Sequence, residues 1–430
     1  MILVIGSGVT GDAVARWARR EGKHVLVTDD DPARRPGGAV DRAAALHALD
    51  DVELVVPSPG VPPTHPLITA AEARRIPVRA EIELAADRAA APIVAVTGTN
   101  GKTTVTGLVA DMLSASGLVA VAAGNIGRPL LDAVGAPADV VVAEVSSFQL
   151  AFTEAFRPRV AVLLNLAPDH LDWHGTFEAY VRAKTRIFAA QSGDDVLVSN
   201  ADDPVVARVA ANAPARRIEF STTSSAGYGL VDDMLVDGDG VELLRRAELP
   251  SGADVVNVLA AAAAGRAIGA TIDGIRAAAI RLPRLPHRVA TVGEAGGVRW
   301  IDDSKATNPH ATAHALAGLD RVVLLAGGRN KGLDLGVLRE RADRLVAVVA
   351  IGESADEVVA AFDGAVGEIR RASSMREAVR LAAARARPGD TVLLSPACAS
   401  FDWYSGYEAR GDDFAAEVAA LTAAAESGER

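Results

Sequence analysis

Short buried-looking runs of aliphatic and β-branched residues punctuate the chain and alternate with longer helix-forming stretches. The first run, residues 2–5, leads through a glycine turn into a helix ending near Glu21, then into a strand at 25–27 that stops at Asp29. A second series begins with the strand at 94–96 and the helix at 105–113. It continues with strands at 140–143 and 161–166 and an amphipathic helix at 177–188. A third begins at 299–301 and adds strands at 322–325, 345–351 and 391–394, with helical stretches between them. Strands alternating with helices predict parallel sheets whose sites lie at the carboxyl ends of the strands. Ala89-Ala90-Ala91-Pro92 reads as one linker. Arg281-Leu282-Pro283-Arg284-Leu285-Pro286 reads as another, because its prolines end the Ala-rich helix before it. The pattern therefore predicts an α/β chain of three domains. A Rossmann-like N-terminal domain spans 1–91, a central P-loop-type domain with a mostly parallel sheet spans 92–286, and a Rossmann-like C-terminal domain spans 287–430. The polar, Gly- and Asp-rich segment 221–246 is only weakly strand-like.

Composition narrows the chemistry. At 430 residues, two or three domains are expected. Half of the residues are hydrophobic but only 4% are aromatic, so the cores must be built from Ala, Val and Leu. A net charge of −11 argues against a general nucleic-acid surface. The single cysteine, Cys398, excludes an intramolecular disulfide and fits a reducing compartment. No apolar run is long enough to span a bilayer, and the chain opens directly into a strand, so a cytoplasmic protein without membrane insertion is expected. Five lysines stand against thirty-nine arginines. Arginine cannot replace a compact ammonium or an amine that must lose its proton. Lys102, Lys184, Lys305 and Lys331 lie in or beside unusual polar segments and are candidates for chemistry; Lys23 sits in a surface turn.

The strongest chemical signal is Thr97-Gly98-Thr99-Asn100-Gly101-Lys102-Thr103-Thr104 between a strand and a helix. A glycine-rich turn there points backbone N–H groups at a phosphate, and the helix N-terminus adds positive dipole. A lysine then reaches the outer phosphates, and the next hydroxyl can hold Mg²⁺. ATP binding is expected. The turn is shorter than the common G-x-x-x-x-G-K-[ST] loop, with Val96 where that loop has glycine. Glu144 falls at the carboxyl end of a neighbouring strand, where such a domain needs a Mg²⁺ ligand.

Gly6-x-Gly8-x-x-Gly11, with Asp29 at the next strand's end, is a dinucleotide fingerprint. Thr10 inside that turn and the second nucleotide loop downstream favour a nucleotide diphosphate other than NAD; NAD and a purely structural turn are the alternatives. Asp169-His170-Leu171-Asp172-Trp173-His174 follows another strand. His170 there can ligate a metal or orient a nucleophile, whereas His174 reads as a packed polar residue. Lys184, on its amphipathic helix, would pass for a solvated surface residue without context. Three further polar loops follow strands of the third series: Asp302 to Pro309, Ala326 to Gly332 and Ser395 to Asp402. Together they are expected to converge on one sheet edge and seat a small amino acid or carboxylate.

In this order, these segments resemble the Mur ligase family over essentially the whole chain. Thr97 to Thr104 and Asp169-His170 are similar to motifs shared across the family. Ser146-Ser147-Phe148-Gln149-Leu150, Leu285-Pro286-His287-Arg288, Asp303-Ser304-Lys305-Ala306-Thr307-Asn308 and Ser395-Pro396-Ala397-Cys398-Ala399-Ser400-Phe401-Asp402 resemble its D-glutamate-adding branch.

The resemblance implies an amide ligase that uses ATP to join D-glutamate to UDP-MurNAc-L-alanine through an acyl phosphate, and a monomer. It implies ATP contacts from Gly98, Thr99, Asn100, Gly101, Lys102, Thr103, Thr104, Asn257, Arg288, Asp303 and Lys305. Two Mg²⁺ ions are implied, one on Thr103 and Glu144, the other served by His170 and a carbamylated Lys184. Val9, Thr10, Asp29, Asp30, Ser58 and Gly60 would take the uridine diphosphate, with Asn125, Gly127 and His170 nearer the sugar and pyrophosphate. Thr307, Lys331, Ser400 and the backbone at Tyr407 would hold D-glutamate. The chain departs from the family pattern at Ala253-Asp254, where His-Asn is common, and at Tyr407, where phenylalanine is common. Another Mur ligase or a folylpolyglutamate-synthase-like enzyme, a dehydrogenase and a non-catalytic nucleotide sensor are the other readings. The first lacks the C-terminal loops, and the second leaves Lys102, Glu144 and Lys184 idle.

Overall fold

The structure is a computed structural model that describes residues 1–427 apart from 36, 225, 226, 251 and 284. Arg284 of the second linker and Ser225 and Ala226 of the polar segment lie outside the described residues. The chain forms two compact units, Met1–Leu166 with Glu178–Leu282, and Ala167–Phe177 with Pro283–Arg430.

The first unit holds two parallel sheets. The smaller has the order Val25–Thr28, Ile2–Ile5, Leu54–Pro57. The larger has six strands in the order Ala120–Gly124, Val140–Glu144, Ile93–Thr97, Val160–Leu163, Val196–Asn200, Arg216–Phe220, all parallel. Ile93–Thr97 is central, and the chain winds to one side of it before crossing to the other. The loop after it therefore sits at a topological switch point, where open α/β sheets bind ligands. Strands buried on both faces read as unbroken apolar runs, which is why Val140, Val141, Val142 and Ala143 could be recognised without alternation. Helices Lys102–Ala115 and Val255–Ala267 pack on this sheet. Alanines 260 to 264 are all fully buried, so the second helix approaches with little more than its backbone. The weakly strand-like segment forms a small antiparallel sheet, Gly229–Val231, Met234–Val236 and Glu242–Arg245.

The second unit has one six-stranded sheet in the order Ala290–Ala295, Val298–Asp302, Thr391–Leu394, Val322–Gly327, Leu345–Ile351, Ile369–Arg371. Only the first pair is antiparallel. Trp300 is buried on it, 6.2 Å from the Phe414 ring of the helix Tyr407–Ser427. Among the described residues no helix is long and apolar enough to cross a membrane.

One buried carboxyl in the first unit has a measurable consequence. Glu81 heads the helix Glu81–Ala86; its Oε1 accepts the Leu131 N–H at 2.5 Å, and its Oε2 has no hydrogen-bond partner among the described residues. Burial pushes its pKa up to about 7, against the Leu131 hydrogen bond and with help from the charge of Asp132. A carboxyl raised in the folded state costs stability as pH climbs from its ordinary value through about 7. Glu81→Gln keeps the acceptor and removes the charge. It is expected to leave urea midpoints unchanged below pH 5 and to stabilise by on the order of 2 kcal/mol at pH 8.

Candidate active site

Glycine makes the 97–104 turn possible. Gly101 caps the helix Lys102–Ala115 at φ +88°, and a Cβ there would stand 2.4 Å from Asn257 Oδ1. On Gly98 a Cβ would stand 2.9 Å from Leu164 Cβ. The turn is thus pressed between the Val160–Leu163 strand's exit and the start of the helix Val255–Ala267. Asp254 caps that helix by accepting the Val256 N–H, and it also accepts from Asn257 Nδ2 at 3.0 Å. The departure at 254 therefore places a good helix cap that also fixes the asparagine against the turn.

Both lysines of this region reach the same carbonyl. Lys102 Nζ donates to Gly98 O at 2.9 Å and Thr99 O at 3.0 Å. Lys184 Nζ donates to Gly98 O at 2.8 Å and to Thr97 Oγ1 at 3.3 Å. Lys184 is 1% exposed, so the surface alternative fails. Its ammonium lies 4.8 Å from the Tyr180 ring centre, and Tyr180 OH pairs with Thr99 Oγ1 at 3.0 Å.

Beside the helix start, Thr103 Oγ1 donates to Glu144 Oε2 and Asn125 Nδ2 donates to Glu144 Oε1, both at 2.8 Å. Glu144 is buried, and among the described residues these two neutral donors hold its carboxylate. An anionic oxygen, a hydroxyl and a helix start form a hard donor set that suits Mg²⁺. Among the described residues no three His, Cys, Asp or Glu side chains converge as a metal cage.

The N-terminal turn is equally tight. On Gly11 a Cβ would fall 1.9 Å from Gly6 O, and Ser58 Oγ donates to that carbonyl at 3.2 Å. Asp29 accepts from Ser7 N, Ser7 Oγ and Asp31 N. Burial raises its pKa, but these hydrogen bonds win and hold it below the usual carboxylate range. Asp30 pairs with His65 Nε2 at 3.1 Å. Val9 is exposed and Thr10 half-buried in the first turn of Val9–Arg20, and Gly60 and the left-handed Gly127 lie in loops.

In the second unit the three polar loops leave adjacent strands: Val298–Asp302, Thr391–Leu394 and Val322–Gly327. The expected convergence is observed. Asp303 is buried; Ser395 Oγ donates to its Oδ2 at 2.8 Å and Val289 N to its Oδ1 at 3.3 Å. Burial pushes its pKa up to about 7, opposed by Ser395 and by the charge of Arg288. Lys305 Nζ lies 5.3 Å from the Tyr407 ring centre. Thr307 donates its N–H to Lys305 O, Ser400 is buried, and Tyr407 O accepts from Ser304 Oγ at 2.9 Å. Lys331 forms an ion pair with the buried Asp169, which also accepts from Asn308 Nδ2 and from the backbone N–H of His170, itself at φ +54°.

Two residues here escaped sequence reasoning. Arg410, 1% exposed, donates from Nε to Ser304 Oγ, from Nη2 to Ser304 O and from Nη1 to Cys398 O, tying two of the loops together. Burial lowers its pKa to about 10. Asn165 clasps the phosphate-type turn: its Oδ1 accepts Asn100 N–H at 2.7 Å and its Nδ2 donates to Asn100 O at 3.1 Å. A lone buried Arg in an arginine-rich chain carries no signal, and neither does one Asn at a strand end.

The expected ATP set divides between the units. The turn and Asn257 belong to the first, and Arg288, Asp303 and Lys305 to the second. The expected metal residues divide likewise, with Lys184 in the first and His170 in the second.

Comparison with known proteins bears on these sites. Residues 96–265 match the Mur ligase middle domain, and residues 287–398 match the Mur ligase glutamate ligase domain. A UDP-N-acetylmuramoylalanine--D-glutamate ligase of Frankia casuarinae is 46% identical, covering 97% of this chain and 94% of that protein. The enzyme of the same name from Desulfosudis oleivorans is 43% identical, covering 98% and 96%. Among solved structures, a MurF ligase from Thermotoga maritima in complex with ADP superposes with a TM-score of 0.61 at 18% identity, covering 98% and 95%, a likeness of fold. Near-complete coverage at such identity, with two family domains matched in sequence order, shows that the chain belongs to the Mur ligase family.

Proposed function

We propose that this protein is an ATP-dependent ligase that adds D-glutamate to UDP-MurNAc-L-alanine. The observation that carries the reading is the set of three polar loops on adjacent strands within the glutamate-ligase-type domain, combined with the phosphate-type turn of the middle domain. We take the modules as 1–91 for the UDP-sugar, 92–286 for ATP and 287–430 for D-glutamate, in a monomeric cytoplasmic enzyme.

In this reading a carboxylate oxygen of UDP-MurNAc-L-alanine attacks the γ-phosphorus, the bond to the β-phosphate bridge breaks, and ADP leaves. The amine of D-glutamate then attacks the acyl carbon, loses a proton, and inorganic phosphate departs with the acyl oxygen. Three anions must meet, so fixed positive charge dominates the work. Lys102 releases the Gly98 and Thr99 carbonyls and turns to the transferring phosphoryl group. Thr103 and Glu144 would hold one Mg²⁺, and we take His170 and a carbamylated Lys184 as ligands for a second; such ions would offset phosphate charge. Lys331 meets a carboxylate of D-glutamate, with Asp169 keeping the ammonium in place until it arrives. Arg288 and Asp303 address the ATP, and Thr307, Ser400 and the Tyr407 backbone complete the amino-acid seat. Ser58, Gly60 and the Gly6 to Gly11 turn receive the uridine diphosphate.

Phosphate release is expected only when ATP, Mg²⁺, UDP-MurNAc-L-alanine and D-glutamate are all present. Equal turnover with L-alanine, L-lysine or meso-diaminopimelate in place of D-glutamate would remove the assignment.

A further inference from the structure

We propose that Asn165 is a positioning residue for the nucleotide phosphates, shaping the 97–104 turn from the neighbouring strand. The inference rests on assigning that turn to ATP. Asn165 lies two residues beyond the strand Val160–Leu163, which pairs in parallel with Ile93–Thr97, Thr97 opposite Leu163. Beyond the strands the pairing continues: Leu164 N–H donates to Thr97 O at 3.1 Å, and Thr99 N–H donates to Asn165 O at 2.9 Å. The Asn165 side chain then extends it one residue further. Its amide acts as a peptide in miniature, taking the Asn100 N–H and serving the Asn100 carbonyl.

Those two bonds fix two consecutive peptide planes. The Asn100 N–H belongs to the peptide before it; the Asn100 carbonyl belongs to the peptide it shares with Gly101. A trans peptide directs its N–H opposite to its carbonyl. With the Asn100 carbonyl drawn to Asn165, the Gly101 N–H is directed away from it, at the start of the helix Lys102–Ala115, where N–H groups gather an anion. Gly101 at φ +88° could otherwise swing, because glycine adopts either sign of φ. The amide is the one short side chain that offers an acceptor and a donor side by side. The shortened turn, with Val96 where longer loops have glycine, thus takes its shape from a side chain on another strand. Asn200 supplies an internal control: its Nδ2 donates to Leu164 O at 2.9 Å, so it supports the same strand exit, and among the described residues its side chain makes no hydrogen bond to the turn.

The test is calorimetric binding of Mg-ADP to full-length protein, with steady-state kinetics beside it. Asn165→Ala is expected to raise the ADP dissociation constant and the KM for ATP by about tenfold each. The KM for D-glutamate should stay within about twofold, the split that positioning of one ligand predicts. Asn165→Asp keeps the acceptor but sets an anionic oxygen against the Asn100 carbonyl and near the phosphates, so it should bind ADP more weakly than Asn165→Ala. Asn200→Ala should lower the melting temperature and leave ADP affinity unchanged. Wild-type affinity in Asn165→Ala or in Asn165→Asp, or equal weakening in Asn200→Ala, overturns the inference alone. Failure of both Asn165 variants to fold also overturns it, since Asn165 would then serve the fold. A wild-type chain that binds no ADP overturns the assignment of the turn and the inference together.

Discussion

Lys184→Arg is expected to fold and to lose turnover by about a hundredfold or more, although it keeps a positive charge. Lys184 is 1% exposed, on a helix facing the phosphate-type turn, with its nitrogen on Gly98 O and Thr97 Oγ1. If a buried cation were all the site required, arginine would supply it, and this chain uses arginine almost everywhere else. A buried amine that sheds its proton can capture CO₂ and become an anion, the charge a Mg²⁺ ligand needs beside a triphosphate. The planar guanidinium cannot do this. It is also bulkier, and overpacking a closed site costs about 1–3 kcal/mol, so a modest fall in melting temperature should accompany the loss. Lys184→Ala is expected to be inactive and to recover in part with added acetate, which would supply a carboxylate at the position proposed for the carbamate. Full activity in Lys184→Arg would show that position 184 needs only a cation.

Lys102→Ala should be the more severe change, at about a thousandfold in turnover, or about 4 kcal/mol in the barrier. Its ammonium rests on two carbonyls of its own turn, Gly98 and Thr99, within reach of whatever phosphate the turn receives. In the proposed reaction, removing it deletes the charge that follows the phosphoryl group through transfer. The KM for UDP-MurNAc-L-alanine should change little, because the N-terminal turn keeps all its contacts. A Lys102→Ala enzyme retaining a tenth of wild-type turnover would contradict this role. Measuring phosphate release with each substrate varied in turn separates the two.

What could be read from the sequence follows from distance along the chain. The 97–104 turn, Glu144 and the loops at 303–308 and 395–402 announce themselves because each is a polar or glycine-rich break directly after an apolar strand. The adjacency of the three second-unit loops could be anticipated from strand ends in a parallel sheet. The strand Ala290–Ala295, with glycine and glutamate inside it, was not foreseen, since its partner at Val298–Asp302 defines it more than its own residues do. The small antiparallel sheet was only half legible for the same reason. Asn165 and Arg410 were missed because their meaning lies in partners far away in sequence: Asn100 for one, Ser304 and Cys398 for the other. Periodicity and spacing report neighbours within a helix turn or a hairpin, and neither residue has its partner there.

The four tryptophans are unevenly placed. Trp17 lies in the first helix, and Trp173, Trp300 and Trp403 all belong to the second unit, while the six-stranded sheet of the first unit and its helices carry none. Trp403 is 37% exposed and follows Ser400 by three residues; Trp173 stacks edge-on with His174, at 4.4 Å, just after His170. Intrinsic fluorescence of the unlabelled protein therefore reports mainly on the second unit. Titrating D-glutamate should shift the emission through Trp403, three residues from Ser400, whereas the six-stranded sheet that carries the phosphate-type turn has no tryptophan of its own.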